Sequence, residues 1–238
     1  MIAESRGITT ILSVMKNHLF NATVQQDGCA ALMTLAVNDN NKVKIAEAGG
    51  IAIILSVMAI HSSNAKVQFY GCASLLNLAN TNDNNKVLIA EAGGIPMIVF
   101  AMRNQSSNMD VQHYGCGALW NLAVDENNKV MIAEAGGIAI ILSVMAIHSS
   151  NAKLQFYGCA VLGSLAVNNN NNRVAIADSG CITTILSAMN NHSSNVDVQH
   201  YGCAALQNLA DDKNNVTIAD AGGITMILSA MKTPSSNA

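Results

Sequence analysis

The sequence predicts an all-α solenoid, and three observations predict it. "GCAALMTLA" at Gly28 returns as "GCASLLNLA" at Gly71, "GCGALWNLA" at Gly115, "GCAVLGSLA" at Gly158 and "GCAALQNLA" at Gly202, at intervals of 43, 44, 43 and 44 residues. A fixed period of that size marks stacked supersecondary units that bury their apolar faces only against their neighbours. Each period carries an "AGGI"-type turn and a polar Ser/Asn loop at matching places. The composition agrees: 50% hydrophobic but only 4% aromatic and 11% charged, which suits many thin Leu/Ile/Val/Ala layers better than one aromatic-rich core.

The chain is expected to form one continuous array over residues 1–238. Its units fall at 1–38 (partial), 39–81, 82–125, 126–168, 169–211 and 212–238 (partial, lacking a third helix). In the unit starting near Asn84, the spacing predicts a short first helix around Asn85 to Ala92. It ends at Gly93-Gly94, where the first glycine takes the left-handed cap and the second permits a sharp turn. A second helix follows from Ile95-Pro96 to Met102, apolar on nearly all sides and so expected to be covered on all sides. The loop "NQSSNMD" breaks the chain, and Asp110 is placed to cap a third helix from Val111 to about Val124. At 100° per residue, Val67, Gly71, Cys72, Leu75, Leu78 and Ala79 share the packing face of the equivalent helix one unit earlier, and Tyr70, Ala73, Leu76 and Asn77 share the other. Small residues at Gly71 and Cys72 let a neighbouring helix approach. The run Asn168 to Asn172 reads as a solvated loop. Two longer blocks repeat at 87 residues, "GGIAIILSVMAIHSSNAK" at Gly49 and Gly136 and "DVQHYGC" at Asp110 and Asp197, so a pair of units was copied as a pair.

Several function classes fall away. With 12 Lys+Arg against 15 Asp+Glu and no basic cluster, the footprint that neutralises phosphates is missing, and nucleic acid is not an expected partner. The start "MIAESRGITTIL" has no basic region before a cleavable apolar core, and apolar runs such as Ala48 to Ile60 are shorter than a bilayer span. The expectation is a cytoplasmic or nuclear protein, not secreted and not inserted in a membrane. The triplets at Asn21, Asn104, Asn191 and Asn215 are then chance matches to a glycosylation signal.

Cys29, Cys72, Cys116, Cys159 and Cys203 hold equivalent positions about one helix-packing distance apart, roughly 8–10 Å, beyond the ~7 Å reach of a disulfide. They read as small buried thiols, and Cys181 has no partner in register. Their spacing converges no four ligands on a zinc ion, so no metal and no cofactor is expected. The histidines His61, His113, His148 and His200 recur through copying, with no carboxylate or second histidine at ligand spacing. No nucleophile motif or phosphate loop appears, so no catalytic residue is assigned. Lys42, Lys86, Lys129 and Arg173 begin first helices, and Glu47, Glu91 and Glu134 end them; they read as a solvated edge.

The unit "NNKVxIAEAGGI(P)xI", a polar loop, then "VQxxGCxALxNLA" resembles the armadillo repeat over essentially the whole chain. The resemblance implies a right-handed superhelix of stacked three-helix repeats, whose third helices line a concave groove that binds extended segments of partner proteins. It also implies that asparagines late in the third helix clamp a bound main chain; the matching residues are Asn77, Asn121 and Asn208, with Thr34 and Ser164 in the remaining places. Relatives that read basic nuclear-import signals carry a tryptophan four residues earlier, where this chain has Ala73, Gly117 and Ala204, which argues against an import-receptor role. Trp120 instead precedes Asn121 directly.

The tyrosine row Tyr70, Tyr114, Tyr157 and Tyr201, with Asp27 in the first unit, serves either scaffold packing or a common contact with a partner. The varied column Met33, Leu76, Trp120, Gly163 and Gln207 is where selectivity would lie. Three asparagine clamps at about 0.5–1.5 kcal/mol each fall short of an association cost on the order of 4–15 kcal/mol, so anchors are needed. Trp120, flanked by Tyr70, Tyr114 and Tyr157, is the candidate. The expected function is a non-enzymatic protein-interaction scaffold. Two alternatives stand: an array that assembles into homo-oligomers through its exposed ends, and an engineered consensus-like scaffold.

Overall fold

A computed structural model describes residues 5–231; the outermost residues of both partial end units, including the start of "MIAESRGITTIL", lie outside the described residues. Among the described residues the chain forms sixteen helices and no strand. Contacts gather it into two compact units, 1–131 and 132–238.

Unit 1 contains α1 (Ser5–Asn17), α2 (Ala22–Leu35), α3 (Asp39–Glu47), α4 (Gly50–Ile60), α5 (Ala65–Ala79), α6 (Asp83–Glu91), α7 (Gly94–Asn104) and α8 (Met109–Leu122). The boundary falls inside α9 (Glu126–Glu134). Unit 2 continues with α10 (Gly137–Ile147), α11 (Ala152–Ala166), α12 (Asn170–Asp178), α13 (Cys181–Asn191), α14 (Val196–Leu209), α15 (Asp212–Asp220) and α16 (Gly223–Ala230). First helices therefore begin at 39, 83, 126, 170 and 212.

Each unit packs like on like: α2 against α5 and α5 against α8 in unit 1, and α11 against α14 in unit 2. Second helices likewise meet second helices, α4 with α7 and α10 with α13. The turn between first and second helices works as expected, with Gly93 at φ 81° and its equivalents Gly49, Gly136, Gly180 and Gly222 between 76° and 83°.

Three devices hold each repeat together. The glycine of the Gly-Cys pair admits a methionine from the neighbouring second helix, the close approach that small residues there allow. A Cβ at Gly71 would lie 2.5 Å from Met58 Cγ, and at Gly115 it would lie 2.5 Å from Met102 Cγ. The same fit recurs at Gly28/Met15, Gly158/Met145 and Gly202/Met189.

Next, a fully buried glutamine early in the third helix donates from Nε2 to two carbonyls at the end of the second helix. Gln68 reaches Met58 at 2.8 Å and His61 at 3.0 Å, and Gln112 reaches Met102 at 2.8 Å and Gln105 at 2.9 Å. The last turn of a helix leaves carbonyls without intrahelical donors, and this amide satisfies them.

Finally, an asparagine in each later first helix donates to the end of the preceding third helix: Asn85 to Leu78 at 3.0 Å, Asn172 to Leu165 at 3.2 Å.

Four sequence expectations are corrected. Asp110 does not cap its helix: the Asn108 side chain accepts from the Asp110 and Val111 N–H groups, and Asn64, Asn151 and Asn195 cap the equivalent helices. The carboxylate needs only to be near an N-terminus to look like a cap, whereas Asn108 has the extended backbone a cap requires. The second helices are not covered on all sides; α4 turns Ala52, Ser56 and Ala59 to solvent, and α7 turns Pro96, Phe100 and Arg103. The Asn run is a loop only in part: Asn168 and Asn169 lie in the turn, where Asn169 caps α12, while Asn170 to Asn172 form the first turn of α12 and Asn172 is buried.

Fourth, Lys42, Lys86 and Lys129 are only 3%, 7% and 3% exposed. Each pairs with the acid three residues earlier, at 2.6, 2.7 and 2.6 Å, and Lys42 Nζ also donates to the Asn80 carbonyl at 2.7 Å. A buried ammonium needs such partners.

Candidate functional site

The residues expected to line a groove sit on the third helices, and those helices stand side by side within each unit. In unit 1, α2 carries Met33 and Thr34, α5 carries Tyr70, Leu76 and Asn77, and α8 carries Tyr114, Trp120 and Asn121. In unit 2, α11 carries Tyr157, Gly163 and Ser164, and α14 carries Tyr201, Gln207 and Asn208. Thr34 and Gln207 are exposed; Leu76, Asn77, Trp120, Asn121, Ser164, Asn208 and the four tyrosines are half-buried; Gly163 is buried.

The asparagines bond across the stack. Asn77 Nδ2 donates to the Met33 carbonyl at 2.9 Å, Asn121 to Leu76 at 3.3 Å, and Asn208 to Gly163 at 3.3 Å. Each bond thus links a third helix to the one before it, and the acceptor is always the residue of the varied column. A carboxamide has two N–H hydrogens and an accepting oxygen, so this bond engages one part of its capacity.

For the tyrosines, the structure shows scaffold packing. The Phe69 ring lies 4.4 Å from Tyr70 and 5.0 Å from Tyr114 on the next helix, and Phe156 lies 4.6 Å from Tyr157 and 4.8 Å from Tyr201. His113 stacks on Tyr114 at 4.6 Å. Such centroid separations lie in the range where aromatic pairs attract. Phe69, His113, Phe156 and His200 thus belong to the same row, which sequence reasoning missed. Their signal was a column alternating Phe and His at the 87-residue double period.

Of the remaining candidates, the cysteines are free thiols. Burial pushes Cys29, Cys72, Cys159 and Cys181 up to about 12 and raises Cys116 and Cys203 as well. A thiol held protonated is a poor nucleophile and a poor metal ligand. His61 and His192 point a ring nitrogen at carbonyls of the preceding repeat, Leu19 at 2.7 Å and Ser149 at 2.8 Å. Among the described residues no three His, Cys, Asp or Glu side chains are grouped to hold a metal. No single described helix is long and apolar enough to cross a membrane.

A family model described as the LRRK2 ARM repeat matches residues 91–238, more than half of the chain. The chain belongs to the armadillo-repeat family. Solved structures agree on the armadillo fold. An engineered protein superposes with a TM-score of 0.84 at 22% identity, covering 96% of this chain and 90% of that one. A designed armadillo repeat protein does so with a TM-score of 0.82 at 15% identity, covering 96% and 94%. Another designed armadillo repeat protein, in complex with the peptide (KR)4, gives 0.79 at 15% identity, covering 97% and 92%. At these identities the likeness is one of fold. No curated protein matches the chain.

Proposed function

We propose that this armadillo-repeat chain is a non-enzymatic scaffold that binds an extended segment of a partner protein along its third helices, with Trp120 as the main anchor. The observation that carries the reading is the alignment of α5 and α8. There Tyr70, Leu76, Asn77, Tyr114, Trp120 and Asn121 are all half-buried, the two tyrosines set against Phe69 and the two asparagines bonded to the preceding helix. Aromatic side chains already held by packing lose little entropy on binding, which is the condition for an anchor. Two of the designed structures with this fold are described as bound to a peptide or as made for modular peptide recognition, which supports a peptide as the class of partner. Free, buried thiols support a reducing compartment, the cytoplasm or nucleus.

Trp120 is the only tryptophan, so its emission reports on α8 directly. Screening an array of extended peptides should find binders that shift that emission and protect Trp120 from quenching. Binders that leave both unchanged would end the assignment of this anchor.

A further inference from the structure

Beyond the asparagine and tryptophan column, the N-terminal turns of neighbouring third helices enclose a separate cleft. In unit 2 it has a volume of about 310 Å³ and is lined by Ala152, Lys153, Phe156, Asn195 and Asp197. Phe156 faces it from α11, with its ring set against Tyr157 and Tyr201. Lys153 and Asp197 are exposed, one on each helix, and neither is a partner in the ion pairs of Lys42, Lys86 and Lys129. The size is at the low end for a ligand pocket, on the order of 300 Å³, and suits one side chain rather than a cofactor.

Two further facts point to recognition. The same five residue types occur in unit 1 at Ala65, Lys66, Phe69, Asn108 and Asp110, each 87 residues earlier. There Phe69 meets Tyr114 at 5.0 Å much as Phe156 meets Tyr201 at 4.8 Å. Lys66 and Lys153 also stand in the first turn of their helices. A cation there opposes the helix dipole, and the copied pair of units retains this local cost at both positions, as functional sites do.

We propose that this cleft, and the matching set of Lys66, Phe69 and Asp110 in unit 1, each take an apolar side chain of an extended partner segment, with an acidic residue two positions to one side facing the lysine and a basic residue two positions to the other facing the aspartate. Side chains two apart share a face of an extended strand, which sets that spacing. A uniformly basic segment would meet Lys66 or Lys153, and a uniformly acidic one would meet Asp110 or Asp197. Like charges set opposite each other reject the wrong partner. The inference rests on the peptide-scaffold reading and names the chemistry of the segment.

The test is an NMR titration of the full chain with three end-blocked probes: Glu-Thr-Val-Thr-Lys, Lys-Thr-Val-Thr-Lys and Glu-Thr-Val-Thr-Glu. The mixed probe should bind at least tenfold more tightly than either other, shifting the amides of residues 65–69, 109–111, 152–156 and 196–198. The double variant Lys66→Glu, Lys153→Glu, checked to melt no lower than the parent, should invert the order in favour of the doubly basic probe. Equal affinity for the three probes, or an order the double variant does not change, overturns the proposal. If the probes bind without charge preference and lose affinity in Trp120→Ala, the scaffold reading survives and this site does not. If none of them binds, this site falls, and the peptide array read through Trp120 decides the scaffold reading separately.

Discussion

The two units share their internal joinery and differ in what they present. The glycine–methionine fit is the same at Gly115/Met102 in unit 1 and Gly158/Met145 in unit 2, and so is the glutamine bridge at Gln112 and Gln155. The column before the asparagines is not. Unit 1 offers Met33, Leu76 and Trp120, all half-buried, where unit 2 has a buried Gly163 and an exposed Gln207. At Gly163 a Cβ would lie 3.1 Å from the Ala205 Cα, so the missing side chain brings α11 and α14 close together. Unit 1 leaves the side chains of this column part-open, whereas unit 2 gives up the first to helix contact and exposes the second. Parts that make the repeat are thus separable from parts that vary between repeats.

The sharpest way to break that comparison is to remove one side chain from each column. Trp120→Ala should cost a cognate peptide about 2 kcal/mol or more, the range of an aromatic hot spot, while Gln207→Ala should change its affinity less than about threefold, as exposed rim contacts do. Calorimetric titration of both variants checks this, and equal losses would mean that the units present equivalent surfaces. The joinery should respond the other way. Gly115→Ala and Gly158→Ala each drive a Cβ into a methionine that is 0–1% exposed, at 2.5 and 2.4 Å. Overpacking of this kind costs about 1–3 kcal/mol. Urea denaturation should show losses of similar size in the two units, and a loss confined to one would show that the shared joint is not equally tight.

The helical repeat was legible in the sequence because its motif recurs at a fixed interval, and the left-handed glycines because their conformation is a local property. Gly93 needs only its own backbone to adopt a φ of 81°. What was hidden depends on the next repeat. Lys42 looks like a surface charge until the Asn80 carbonyl, 38 residues on, is placed 2.7 Å from its ammonium. Phe69 lies beside Tyr70 in sequence, and its contact with Tyr114 exists only once α5 and α8 stack. At the candidate site, the sequence placed Asn77, Asn121 and Asn208 on third helices. It gave no sign that their amides reach a carbonyl of the preceding helix, since that requires knowing the offset between two helices 44–45 residues apart.

Those amides supply a finer test. Asn77→Ala, Asn121→Ala and Asn208→Ala each delete one bond between neighbouring third helices, worth about 0.5–1.5 kcal/mol. The ranking should follow length, with Asn77 at 2.9 Å costing more than Asn121 or Asn208 at 3.3 Å. Denaturation midpoints at unchanged slope would read the order. No loss at any of the three would mean that the bond is no stronger than the water it displaces.

The smallest effect is expected at Gly163, because two terms oppose each other there. Replacing a helical glycine by alanine gains about 1 kcal/mol of propensity. The new Cβ would meet the Ala205 Cα and Cβ at 3.1 and 3.3 Å, backbone included, so α14 must retreat by a few tenths of an ångström. That retreat lengthens the Asn208 bond to the Gly163 carbonyl, already 3.3 Å, toward the 3.5 Å beyond which little attraction remains. Gly163→Ala should therefore leave stability within about 0.5 kcal/mol of the parent. Asn208→Ala should cost less in that background than alone, by at least about 0.3–0.5 kcal/mol, the coupling that separates neighbouring sites from independent ones. A double-mutant cycle in urea measures it. Strict additivity would mean that α14 absorbs the methyl group without moving, and that the closeness of the two helices in unit 2 is not set by this glycine.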